Sequence, residues 1–277
     1  MSGLNLHYEE RGEGRPIVFL HGFGANTHTW KHLIPRFADH YKTLSLDLKG
    51  FGLSPKPIDN EYSAEDQADL VTDFIIEKRL TDVTIIGHSL GGAIGLLTAI
   101  RLQAQGRKSP HSLVLIDTIA HKQPLPFFIK LLRVPMLGRL FMEALSEETQ
   151  VKLILDVVYH DRTKITKETI AQYAEPLKEE SAKTALIKTA KLIIPPHIEE
   201  IVSSYRSIYS PTLIIWGQYD RIAPLSTGSR LTGELPNAQF IPPLPAGHAP
   251  HEELPSCVIP EILNFLKRIH TRPVTSP

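Results

Sequence analysis

Short, continuously apolar runs separated by stretches of helical spacing fill the first 118 residues, and this alternation constrains the fold more than any other feature. Pro16-Ile17-Val18-Phe19-Leu20 stops at His21-Gly22, and a second run, Tyr41 to Leu48, leads into Lys49-Gly50-Phe51-Gly52-Leu53-Ser54. Val83-Thr84-Ile85-Ile86 and Ser112-Leu113-Val114-Leu115-Ile116-Asp117 complete the series. Strands this uniformly apolar have no solvent face, so they belong in a parallel sheet covered on both sides. Between them, Ser63-Ala64-Glu65-Asp66 predicts a helix start, with Ser63 accepting from the Asp66 N–H while the Asp66 carboxylate reaches back. Leu70, Val71, Phe74 and Ile75 continue that helix, and Ala93 to Leu102 predicts a largely buried one.

From Thr118 to Ser210 the pattern becomes helix after helix, broken at Pro135, Pro176 and Pro195-Pro196. Strand–helix alternation resumes at Pro211-Thr212-Leu213-Ile214-Ile215-Trp216-Gly217, runs through Gln239-Phe240-Ile241 and closes with a helix from Ile259 to His270. The expected architecture is one sheet domain built from residues 1–118 and 210–277, with residues 119–209 inserted as a helical lid. Helices that leave a parallel sheet at a strand's carboxyl end sit over the crevice where such sheets bind ligands. The tail from Thr271 to Pro277 is expected to fray.

Composition narrows the function. Lys plus Arg and Asp plus Glu number 30 each, and a net charge of zero leaves no electrostatic footprint for nucleic acid. No run approaches the roughly 20 apolar residues of a membrane-spanning helix; the nearest, Phe127 to Leu145, is interrupted by Lys130, Arg133, Pro135 and Arg139. The chain does not open on a basic stretch followed by an apolar one, so no signal peptide is expected and a cytoplasmic location is the expectation. Cys257, the single cysteine, excludes an internal disulfide and is expected to be a small buried apolar residue. No histidine, cysteine or carboxylate spacing suggests a metal site, and no cofactor is expected.

The chemistry concentrates in Gly87-His88-Ser89-Leu90-Gly91, followed by Gly92, between an apolar strand and an apolar helix. A serine there stands on a sharp strand-to-helix turn whose flanking glycines avoid backbone collisions. The helix N-terminus behind it favours developing negative charge. A serine hydroxyl is inert at neutral pH unless a base takes its proton, so a histidine and an orienting carboxylate are required. Asp220 lies four residues beyond the Thr212–Trp216 run, and His248 follows 28 residues later, after Gly247. Asp117, ending an earlier strand, is the alternative acid, and His251 the alternative base. Seven of the 22 prolines fall between Pro236 and Pro260 and stiffen the segment that carries His248. An oxyanion needs preorganised donors. The Leu90 amide supplies one, and the loop His21-Gly22-Phe23-Gly24 supplies the other through the Phe23 amide.

These pieces, in this order, resemble the α/β-hydrolase-fold serine hydrolases, and the resemblance covers the sheet domain at both ends of the chain. It implies a mostly parallel central sheet flanked by helices, with a helical lid inserted after the strand that ends near Asp117. It implies a triad of Ser89, Asp220 and His248, an oxyanion hole at the Phe23 and Leu90 amides, and a largely structural role for the Asp47 to Ser54 loop. A serine at position 89 argues against the dehalogenase and epoxide-hydrolase branches, which use an aspartate there. The expected activity is hydrolysis of small-to-medium apolar carboxylic esters, with a small-molecule ester as the partner. Two alternatives share the core. One is a carbon–carbon bond hydrolase of ring-cleavage diketones, whose Gly-Pro-Gly continuation is replaced here by Phe23-Gly24-Ala25-Asn26. The other is a ligand receptor that retains the triad.

Overall fold

Seven strands form one sheet among residues 4–271, which the computed structural model describes. They are β1 (Tyr8–Arg11), β2 (Pro16–Leu20), β3 (Lys42–Leu46), β4 (Thr84–His88), β5 (Ser112–Ile116), β6 (Thr212–Ile215) and β7 (Ala238–Phe240). Their spatial order is β1-β3-β2-β4-β5-β6-β7. Every pair is parallel except β1 against β3. The sequence gives no warning of β1: Tyr-Glu-Glu-Arg is mostly polar and exposed, as an edge strand's residues can be when one side and one face meet water.

Period-2 alternation sorts the β2 side chains into two layers. Val18 and Leu20 join the core that includes helices α2 (Ala64–Glu77) and α3 (Leu90–Ala104), whereas Ile17 and Phe19 face Trp30, Phe37 and the C-terminal helix. Helix α1 (Ile34–Phe37) is a single turn carrying Phe37. The start of α2 is a capping box, with the Asp66 N–H donating to Ser63 Oγ (3.1 Å) and the Ser63 N–H donating to Asp66 Oδ2 (2.9 Å).

Six helices lie between β5 and β6: α4 (Phe127–Arg133), α5 (Pro135–Ala144), α6 (Glu147–Val158), α7 (Lys167–Ala174), α8 (Glu180–Leu192) and α9 (Ile198–Ser204). Pro135 opens α5, where its missing N–H removes no intrahelical bond. After β6 come α10 (Leu225–Glu234), the short α11 (Pro250–Glu253) and α12 (Pro255–Thr271). Among the described residues no helix is long and apolar enough to cross a membrane.

Two expectations need adjustment. Cys257 is exposed rather than buried. It lies on α12, whose inward stripe of Val258, Ile262, Phe265 and Leu266 turns position 257 to solvent. That helix also begins earlier than expected and runs through Pro260, because burial of the same stripe outweighs one lost backbone hydrogen bond. The expected fraying concerns residues that, beyond Thr271, lie outside the described part of the chain.

Candidate active site

Ser89 joins β4 to α3 with φ 53° and ψ −116°, a conformation that ordinary L-residues rarely adopt. The surroundings hold it there: the Ser89 N–H donates to the Ile116 carbonyl (2.9 Å) and the Ser89 carbonyl accepts from the Ile119 N–H (3.2 Å). The turn tolerates no side chain at its flanks. A Cβ on Gly91 would fall 2.1 Å from the Leu20 carbonyl oxygen, and one on Gly87 would fall 2.4 Å from the Gly91 oxygen. The β2 loop closes over the turn so tightly that a Cβ on Gly22 would lie 3.1 Å from Ser89 Cβ. Phe23, Gly24 and Ser89 all line the same cavity. Leu90 is the first residue of α3, so its N–H has no intrahelical partner.

Ser89 Oγ lies 2.8 Å from His248 Nε2, and His248 Nδ1 lies 2.8 Å from Asp220 Oδ2. The carboxylate fixes the tautomer: Nδ1–H donates to Asp220, which leaves the Nε2 lone pair facing the Ser89 hydroxyl. Asp220 Oδ1 in turn accepts from the Ile222 and Ala223 N–H groups at 2.7 and 3.0 Å. Burial raises the Asp220 pKa, but the positive charge and hydrogen bond of His248 overcome it and hold the carboxyl below its usual range. His251 is not in this line. Its Nε2 is 2.8 Å from Thr29 Oγ1, and burial, followed by the charge of His248, pushes it down to about 3.

Asp117 is also drawn in. It follows β5 with φ 44°, and its Oδ1 accepts the Gly217 N–H at 2.9 Å. Asp117, Asp220 and His248 each bring one ligand atom to within 4.8 Å of the others. Burial, followed by the charge of Asp220, raises the Asp117 carboxyl well above its ordinary value.

Three further buried groups surround the histidine: His88, expected from its place beside Ser89 to pack and hydrogen-bond within the turn, and two acids, Glu252 and Glu253, that the sequence does not single out. Glu253 accepts from the N–H groups of Gly247 (2.7 Å), His160 (3.0 Å) and Asp161 (2.9 Å). Glu252 accepts from the hydroxyls of Thr29 (2.7 Å), Tyr173 (2.8 Å) and Tyr159 (2.9 Å). His88 Nε2–H donates to the His248 carbonyl at 2.7 Å, while the His248 N–H donates to the Val158 carbonyl at 2.7 Å. The loop is therefore tied both to the sheet side and to α6. Two acids directly following His248-Ala249-Pro250-His251 were the available signal, but sequence alone does not distinguish a buried acceptor from a solvated acid.

Ser89 and His248 open on a cavity with about 110 Å³ available to the centres of water-sized molecules. Its walls come mainly from the inserted helices, with Phe128, Leu132, Met142, Val151 and Leu186 among them. None of the described lining residues is a lysine or arginine, and the one acid, Glu252, is held by its three hydroxyl donors.

The alpha/beta hydrolase family model matches residues 17–257. The chain belongs to that family. The hydrolase is 30% identical over 273 residues to the uncharacterized hydrolase YugF of Bacillus subtilis, with 96% of each chain covered. It is 29% identical over 257 residues to lipase 1 of Psychrobacter immobilis, covering 91% of this chain and 77% of that one. It is 26% identical over 275 residues to the 2-hydroxy-6-oxo-6-(2'-aminophenyl)hexa-2,4-dienoic acid hydrolase of Metapseudomonas resinovorans, covering 96% and 89%. Ester and carbon–carbon hydrolases thus both stand among the hydrolase's relatives.

Proposed function

We propose that this hydrolase cleaves carboxylic esters of neutral, largely apolar substrates through an acyl-enzyme on Ser89. The observation that carries the reading is the continuous line from Ser89 through His248 to Asp220, two contacts of 2.8 Å, opening on an apolar cavity without a cation. Residues 119–209 serve as the cap that supplies most of that cavity.

Ser89 Oγ attacks the ester carbonyl while His248 Nε2 takes its proton, and Asp220 stabilises the imidazolium. The developing oxyanion is received by the N–H groups of Phe23 and Leu90; losing one such donor costs roughly 10²–10³ in rate. Collapse expels the alcohol, which receives the proton from His248. Water then enters, gives its proton to His248 and releases the acid from Ser89.

The lining supports the ester reading over the carbon–carbon one. A dienoic acid substrate brings a carboxylate, and burying it without a partner costs several kcal/mol. Here it would meet Glu252 and no cation among the lining residues. The test is hydrolysis of p-nitrophenyl esters from C2 to C12 by wild type and Ser89→Ala. Turnover over a limited range of chain lengths, abolished in the variant, is expected. Absence of Ser89-dependent turnover at every length contradicts the proposal, and a large shift in melting temperature on ligand binding without turnover would then favour the receptor alternative.

A further inference from the structure

Gln150, on α6, lines the cavity and is 1% exposed. Its Nε2 donates to the carbonyls of Met142 (3.1 Å) and Leu145 (2.7 Å). Two carbonyl acceptors can be met only by the NH₂ half of a carboxamide, because a flipped amide would set oxygen against oxygen. The orientation is therefore fixed, and Oε1 is left buried without a protein partner. Gln123 repeats the arrangement at another wall of the cavity: its Nε2 donates to the Ile222 carbonyl (2.9 Å), and its buried Oε1 has no protein partner. The other hydroxyls of the lining are committed, since Thr29 and Tyr173 both donate to Glu252. Away from the reacting groups, the unpartnered side-chain atoms of the described lining residues are these two acceptors.

A buried carbonyl that loses its partner is penalised far more than a satisfied one is rewarded. A plain hydrocarbon chain that fills this cavity leaves Gln150 Oε1 without a hydrogen bond. A chain with a hydroxyl at the right carbon can supply one. An anionic group cannot, because it has no donor to offer.

We propose that Gln150 Oε1 anchors a hydrogen-bond donor on the otherwise apolar part of the substrate, so that the preferred esters are neutral and hydroxylated along the chain that enters the cap. This rests on the ester reading for its chemistry, but the subsite can be measured without turnover. One neutral hydrogen bond regained in a dry site corresponds to a preference of roughly ten-fold.

The experiment is calorimetric binding to the Ser89→Ala protein of methyl decanoate and of the positional isomers of methyl hydroxydecanoate, with the hydroxyl at each carbon from C2 to C10. One isomer, or two adjacent ones, is expected to bind about ten-fold more tightly than methyl decanoate. That advantage is expected to vanish in Ser89→Ala/Gln150→Met, where the thioether fills the same space without an acceptor. Should the double variant fold poorly, competition between the isomers for wild-type enzyme reads the same ranking in kcat/KM. A flat series, or an advantage that survives Gln150→Met, overturns the proposal. A ten-fold preference in binding together with no Ser89-dependent hydrolysis supports the subsite and overturns the ester reading instead.

Discussion

Asp117 and Asp220 meet at the carboxyl ends of adjacent strands, and their burial has opposite outcomes for the two carboxyls. Asp117 follows β5 and Asp220 follows β6, and both carboxyls reach the neighbourhood of His248 Nδ1. Two carboxylates cannot both ionise in so small a buried space. Burial raises the Asp117 carboxyl well above its ordinary value, whereas Asp220, hydrogen-bonded to the histidine, is held below its own. Asp117 Oδ1 accepts from the Gly217 N–H, and its buried Oδ2 has no hydrogen-bond partner. The two candidate acids of the sequence thus share one site, and Asp220 is the one hydrogen-bonded to the histidine.

The unequal pair has a direct consequence. Asp117→Asn keeps an acceptor for the Gly217 N–H and leaves the Asp220–His248 hydrogen bond in place, so kcat/KM is expected to fall by less than about ten-fold. Asp220→Asn removes the charge that stabilises the imidazolium and is expected to lower kcat by about 10⁴. Ester hydrolysis by the two variants compares them, and equal losses would show that Asp117 carries the charge.

Glu253 gathers three backbone N–H groups from two separate loops. Glu253→Ala leaves them buried without their acceptor and is expected to destabilise the fold by about 2 kcal/mol or more. Because Gly247 adjoins His248, kcat is expected to fall further than the loss of folded protein explains. Urea unfolding and active-site titration separate the two effects, and an unchanged kcat per titrated site would contradict the bracing role.

Much of the fold was legible because β2, β4, β5 and β6 carry apolar residues on both faces, a pattern that favours a parallel sheet covered on both sides. The capping box at Ser63 and Asp66 was legible for a similar reason, since its partners lie within one helical turn. The edge strand β1 was not, because its identity depends on the neighbour it pairs with rather than on its own residues. Ser89, Asp220 and His248 stood out through the turns that carry them, and the structure brings them within hydrogen-bonding reach. Glu252, Glu253 and Gln150 did not, because their meaning comes from donors and acceptors many residues away, such as Tyr159 to Glu252.

His251 links stability to pH. It is fully buried and neutral, with its pKa pushed down to about 3 from an ordinary value of 6.5. A histidine depressed in the folded state lets the unfolded chain bind the proton first, so its contribution is complete above pH 6.5 and is lost as pH falls toward 3. The loss amounts to about 1.4 kcal/mol for each pH unit within that window. Chemical denaturation at pH 7.5 and pH 5 is expected to show a steeper decline for wild type than for His251→Gln. Parallel declines would contradict this assignment.

The most direct test of the account is covalent labelling of the hydrolase with a p-nitrophenyl alkylphosphonate, which traps an activated serine and releases one nitrophenolate per chain. Peptide mass mapping is expected to find the phosphonyl group on Ser89, with labelling abolished in Ser89→Ala and slowed by about 10³ or more in His248→Ala. Stoichiometric label on another residue, or ester hydrolysis that persists undiminished in Ser89→Ala, would contradict it.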